Sequence, residues 1–82
     1  MTLIVRFSET DADRPAKEQA LTALDDSQLA LALAQTRRAA AQARSQAAMD
    51  DLFDLVRGMK TIHRLAQMRG LILKRPRNVA GP

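Results

Sequence analysis

The pattern of apolar and polar positions changes character several times along this chain. Residues 2–7, "TLIVRF", are β-branched and aromatic enough for a short strand, or else form an N-terminal arm. Residues 8–14, "SETDADR", are polar and acidic and read as a loop. Pro15 suits the first turn of a helix, where its missing N–H costs nothing, and Asp13 stands where it can cap. A short helix over residues 15–24 follows, with Leu21 and Leu24 on one side.

Asp25 and Gln28 then have capping-box spacing, the sign of a new helix start. From there to Met49 the chain has no Gly or Pro and consists mostly of Ala, Leu, Gln and Arg, the best intrinsic helix formers. This predicts a helix over residues 27–48. Leu29, Leu33, Thr36, Ala40, Ala43 and Ala47 recur in a four-three alternation along it, a seam that begins in leucine and ends in alanine. Alanine buries little area but lets another helix approach closely.

Met49-Asp50-Asp51 is the next punctuation. Aspartates favour the first turn of a helix, where they meet the positive end of its dipole. No Gly or Pro marks a bend here, so the reading of a hairpin competes with one long helix, and the hairpin is preferred. Residues 51–69 form the clearest amphipathic segment. Leu52, Leu55, Met59, Ile62 and Ala66 make its stripe, flanked by Val56 and Leu65. Arg57, Lys60 and Arg64 fall on the opposite side at about 100° per residue. Gly58 inside the helix costs about 1 kcal/mol relative to Ala and marks either close packing or a kink. Gly70 suits the left-handed residue that ends a helix, and Arg69 suits the helix's negative end.

The expected fold class is therefore all-α, a helical hairpin or small bundle, with short terminal strands at residues 2–7 and 71–75 as minor additions. Residues 1–14 form an arm or strand, residues 15–75 a single helical domain, and residues 76–82 a basic tail.

Length changes this picture. A chain of 82 residues buries a limited share of its surface. Disulfides, a metal or oligomerisation are the usual remedies. There is no cysteine, and the single histidine, His63, cannot build a zinc site without several converging carboxylates. A homodimer is the remedy left. Absence of cysteine fits a reducing, cytoplasmic setting. No apolar run approaches the roughly 20 residues of a membrane span, and a basic helix lying on a lipid surface is disfavoured by few bulky apolar residues.

Charge is unevenly placed. Residues 1–30 carry three basic and six acidic groups, and residues 31–49 add Arg37, Arg38 and Arg44. After Asp54 there are seven basic groups and no acid. No Gly-rich phosphate loop is present. The Asp50, Asp51 and Asp54 group lacks the architecture of a calcium loop, and no serine has a base at a useful spacing. The chain is read as non-enzymatic, with no cofactor.

Two functions remain. The first is a helical interaction protein, such as an adaptor, antiactivator or chaperone-like protein. It would self-associate and bind a partner protein through Leu29, Leu33, Leu52, Leu55, Met59 and Ile62. The second is a small DNA-binding regulator, or a binder of another acidic partner, that uses Arg57, Lys60, Arg64, Lys74, Arg75 and Arg77. For this second reading the short span between Gly58 and Gly70 fits a winged helix-turn-helix poorly.

Overall fold

The computed structural model describes residues 2–71 and consists of three α-helices in a small bundle. They are α1 (Arg14–Thr22), α2 (Asp26–Ser45) and α3 (Met49–Met68). Helices α2 and α3 form the hairpin and pack along their length; α1 lies against α3.

The ends of the helices show why they stop. Asp25 caps α2 through a complete capping box: the Gln28 N–H donates to Asp25 Oδ1 (2.8 Å), and the Asp25 N–H donates to Gln28 Oε1 (3.1 Å). Helix α1 differs from expectation. It ends at Thr22, before Leu24, and Asp13 makes no side-chain cap; its own N–H donates to Asp11 Oδ1 instead. Asp50 and Asp51 occupy the first turn of α3, as the dipole argument expects.

Helices α2 and α3 both end in Schellman motifs, in which two backbone N–H groups satisfy carbonyls that have lost their helical donors. At α3, Gly70 has φ +72°, its N–H donates to Gln67 O and the Leu71 N–H to Ala66 O. At α2 the same bonds run from Ala47 to Arg44 O and from Ala48 to Ala43 O, but the left-handed residue is Ala47, with φ +56°. The hairpin turn thus uses an alanine where glycine is the usual choice.

The core has two parts. One joins Phe7, Leu21, Leu29, Ala32, Leu33, Ile62, Leu65 and Ala66, with Leu3, Val5, Leu24, Met59 and Leu71 half-buried against it. The other, nearer the hairpin turn, joins Ala40, Ala43, Leu52 and Leu55, with Ile4 and Val56 against it. The α2 seam is as expected from Leu29 to Ala43; Ala47, expected on it, is exposed in the turn.

Residues 2–7 overturn the strand expectation. They form no strand among the described residues, and the N–H groups of alternate residues, Leu3, Val5 and Phe7, bond to the helices as those of an extended arm do. The arm lies on the helices instead. At the expected C-terminal strand, Leu71 is not a strand, and residues 72–75 lie outside the described residues, as does the expected tail. Gly58 explains the arm's path. A Cβ at this position would overlap the Val5 carbonyl oxygen and come within 2.7 Å of its carbon. Close packing, not a kink, accounts for this glycine. Phe7 closes the arm as a fully buried plug, its N–H donating to Asp54 O (3.1 Å).

Candidate functional site

The six apolar candidates for partner binding are placed inside the bundle. Leu29, Leu55 and Ile62 are fully buried, Leu33 and Leu52 nearly so, and Met59 is half-buried between the two core clusters. Their job is to join α2 to α3.

The arm has two unlike edges. In extended backbone, successive residues direct their N–H and C=O groups to opposite edges. Here the N–H of Leu3 donates to Gln35 Oε1, that of Val5 to Thr36 Oγ1 (2.9 Å), and that of Phe7 to Asp54 O. The odd-numbered residues thus fasten one edge to the bundle. The even-numbered residues face the other way. Arg6 O accepts from Lys17 Nζ (3.3 Å), while the backbone of Thr2 and Ile4 makes no hydrogen bond among the described residues. This open edge runs beside a groove of about 400 Å³ between arm and α1. Leu3, Ile4, Val5, Ala20, Leu21 and Leu24 give the groove its apolar wall, with Arg6 and Lys17 among the other lining residues.

The cationic candidates divide sharply. Arg57 Nη1 pairs with Asp54 Oδ1 (2.8 Å) and also donates to Phe7 O (3.3 Å). Arg64 Nη2 pairs with Glu18 Oε1 (2.9 Å) across the α1–α3 contact. Lys60 is exposed and in no ion pair among the described residues. Lys74, Arg75 and Arg77 lie outside the described residues. The view that the cations after Asp54 have no acid to pair with is therefore corrected for three of them: Arg57 takes Asp54 in its own helix, and folding brings Glu18 to Arg64 and Asp26 to Arg69. Arg69 is a further case. It donates to Thr22 O (3.1 Å), Leu24 O (2.9 Å) and Asp26 Oδ1 (3.0 Å), so it closes the junction of α1 and α2 rather than serving its own helix end.

The arm side of the molecule is a network of such pairs. Glu18 receives both Arg64 and Arg14, and these cations, Arg64 first, hold its carboxyl below the ordinary value of 4.5. Asp11 accepts from Lys17 Nζ (2.6 Å) and from the Ser8 N–H (3.2 Å), which lower its pKa in that order of importance. Arg14 also lies over the Phe7 ring, 4.9 Å from its centroid. Ten cationic side chains lie among the described residues, and six of them, Arg6, Arg14, Lys17, Arg57, Arg64 and Arg69, are in ion pairs. Arg37, Arg38, Arg44 and Lys60 are the rest.

Ile4, Arg37 and Arg44, which the structure leaves without a backbone bond or an ion pair among the described residues, are not among the candidates read from the sequence. Nothing local marked Arg37 and Arg44, because pairing between distant segments decides which cations stay free.

His63 is half-buried, and among the described residues no group of three or more His, Asp or Glu side chains is arranged to hold a metal ion. No described helix is long and apolar enough to cross a membrane. Compared with protein-family models, curated proteins and solved structures, the chain matches none.

Proposed function

We propose that this chain is a non-enzymatic helical interaction protein that takes up an extended, apolar segment of a partner protein along the open edge of its arm. One observation carries this reading: odd-numbered arm residues are bonded to the bundle, while the Ile4 N–H and C=O make no hydrogen bond among the described residues and lie beside an apolar groove. An unpaired extended edge is a template for strand addition, in which main-chain bonds supply affinity and pockets for alternate side chains supply selectivity. The anchoring bonds hold the arm extended before binding, which lowers the ordering cost. The absence of cysteine supports a cytoplasmic setting for this activity.

The test uses a display library of nine-residue peptides against the full chain. Sequences with alternating apolar residues should be enriched. Ile4→Pro removes the edge N–H at a position whose extended backbone tolerates proline, and leaves the Leu3, Val5 and Phe7 anchors in place. It should weaken the best peptide at least tenfold while circular dichroism stays helical. Lack of enrichment, or equal binding by Ile4→Pro, would overturn the proposal. Light scattering identifies a second copy as the partner: a mass of twice 9.0 kDa that Ile4→Pro returns to 9.0 kDa.

A further inference from the structure

We propose that the flank of the α2–α3 pair opposite the arm is a docking surface for the phosphate backbone of duplex DNA. It is independent of the arm's open edge, and its cations, Arg37, Arg38, Arg44 and Lys60, share only Lys60 with the set that the sequence suggested.

Helical register places the flank. On α2, Gln35, Thr36 and Ala39 meet the arm or pack on the side where Ile4 lies. Arg37 and Arg44, seven residues apart, fall together on the other side of the α2 seam at about 100° per residue. Their separation along the axis is about 10 Å at 1.5 Å per residue. On α3, Gly58 and Thr61 lie toward the arm and α1, with Gly58 beneath Val5 and Thr61 accepting from Arg14. Val56 and Lys60 lie toward the opposite side. Because the helices are antiparallel, these two flanks are continuous, and Arg37 comes level with the turn of α3 that carries Lys60. Arg38 lies on the outer side of α2, next to this surface.

None of these four cations is in an ion pair among the described residues. The acid at the far end of this flank, Asp26, is held by Arg69. The flank therefore presents uncompensated positive charge, while the arm side has its cations paired. Charge complementarity requires an anionic occupant.

The side chains choose among anions. Ala30, Ala34 and Ala41 surround Arg37 and Arg44 and offer no large apolar anchor there; the exposed Leu31 lies on the outer side of α2 beside Arg38, away from the flank. Protein interfaces draw most of their affinity from such anchors near the centre. Single-stranded nucleic acid needs aromatic platforms, and Phe53, at the turn end, is the exposed aromatic residue among those described. A duplex backbone needs only spaced donors, and it carries one negative charge per about 1.7 Å of axis. Arginine and lysine meet this need without reading bases, so binding is independent of sequence.

The experiment is fluorescence anisotropy of the full chain with a 20-base-pair duplex at 50 and 200 mM salt. The expected affinity is about 10⁻⁴–10⁻⁶ M at physiological salt. Three phosphate contacts give a loss of about 40-fold between the two salt concentrations. Arg37→Gln, Arg44→Gln and Lys60→Gln together should weaken binding at 50 mM at least tenfold and flatten the salt dependence, with unchanged circular dichroism. If the triple variant fails to fold, the exposed pair Arg44→Gln and Lys60→Gln carries the test. Arg6→Gln removes one charge on the arm side and should have less effect than Lys60→Gln. No binding at 50 mM, or wild-type binding by the variants, overturns the proposal. So does tighter binding of a single strand, and so does polyglutamate binding as tight as the duplex, which would assign the flank to an acidic protein.

Discussion

The two ends of the α2–α3 hairpin are built differently. At the α1 end, Phe7, Leu21, Leu29, Leu33, Ile62 and Leu65 bury large side chains, and Arg69, Arg64 and Arg14 tie three segments together. At the turn end, α2 contributes only Ala40 and Ala43 to meet Leu52 and Leu55, and the turn itself uses Ala47 in a left-handed conformation. A buried leucine or phenylalanine contributes about 1.5–3 kcal/mol by burial, and alanine a fraction of that. The α1 end is held by packing between distant segments. The α2 side of the turn end relies more on helix propensity and close approach. The open arm edge lies beside the well-packed end, while three of the four cations without an ion pair among the described residues, Arg37, Arg38 and Arg44, lie on the alanine-rich helix. The ion pairs show why: Asp11, Glu18 and Asp26 pair with Lys17, Arg14, Arg64 and Arg69, and no acid pairs with Arg37, Arg38 or Arg44 among the described residues.

The contrast can be broken most strongly at Phe7. Phe7→Ala removes the arm's plug and should cost about 3–5 kcal/mol in denaturant unfolding. Ala40→Gly at the other end should cost about 1–2 kcal/mol, from helix propensity and one buried methyl. Equal losses would refute the division.

Gly58→Ala places a methyl against the Val5 carbonyl. It gains about 1 kcal/mol in helix propensity, against an overpacking cost of about 1–3 kcal/mol. A net loss is expected, with faster hydrogen exchange at the Val5 and Phe7 amides than in wild type. A stabilised Gly58→Ala protein with unchanged exchange would mean that the arm does not lie over α3.

Thr36→Val keeps the shape of the α2 seam but leaves the Val5 N–H without its acceptor. A loss of about 1–3 kcal/mol is expected. Ala47→Gly sharpens the comparison from the other side. It relieves the left-handed alanine and should stabilise the turn by about 0.5–1 kcal/mol, measured by thermal unfolding.

The smallest expected effect is acid sensitivity of the arm side. The folded pKa of Glu18 lies below its ordinary 4.5, so its contribution is fully present above that value. It is lost as pH falls through the depressed folded value. Asp11, lowered from 3.8, acts in the same direction. Ion pairs near the surface are weak, so only a shallow loss of stability below pH 4.5 is expected. Glu18→Gln should flatten it, and an equally steep acid limb in that variant would assign the loss to other carboxylates.

Much of the helical architecture was legible locally. The Asp25–Gln28 box, the stripe from Leu52 to Ala66 and the stop at Gly70 are short-range features, because caps and helix faces depend on residues three or four apart. The hairpin turn was less legible, because Ala47 lacks the glycine signal that usually marks a left-handed residue. The candidate sites were hardly legible at all. Burial turned the six apolar candidates into core, and ion pairing removed Arg57 and Arg64 from the free cations.

The sequence by itself determined which segments become helices, where two of them are capped, and that the acids gather early and the cations late. Only the tertiary structure decided how the arm lies, why Gly58 must be small, and which cations keep no partner. Helix formation is governed by neighbours within about one turn. Arm docking and charge pairing join residues 30 to 50 positions apart, such as Val5 with Thr36 and Phe7 with Arg57, and no local pattern encodes those contacts.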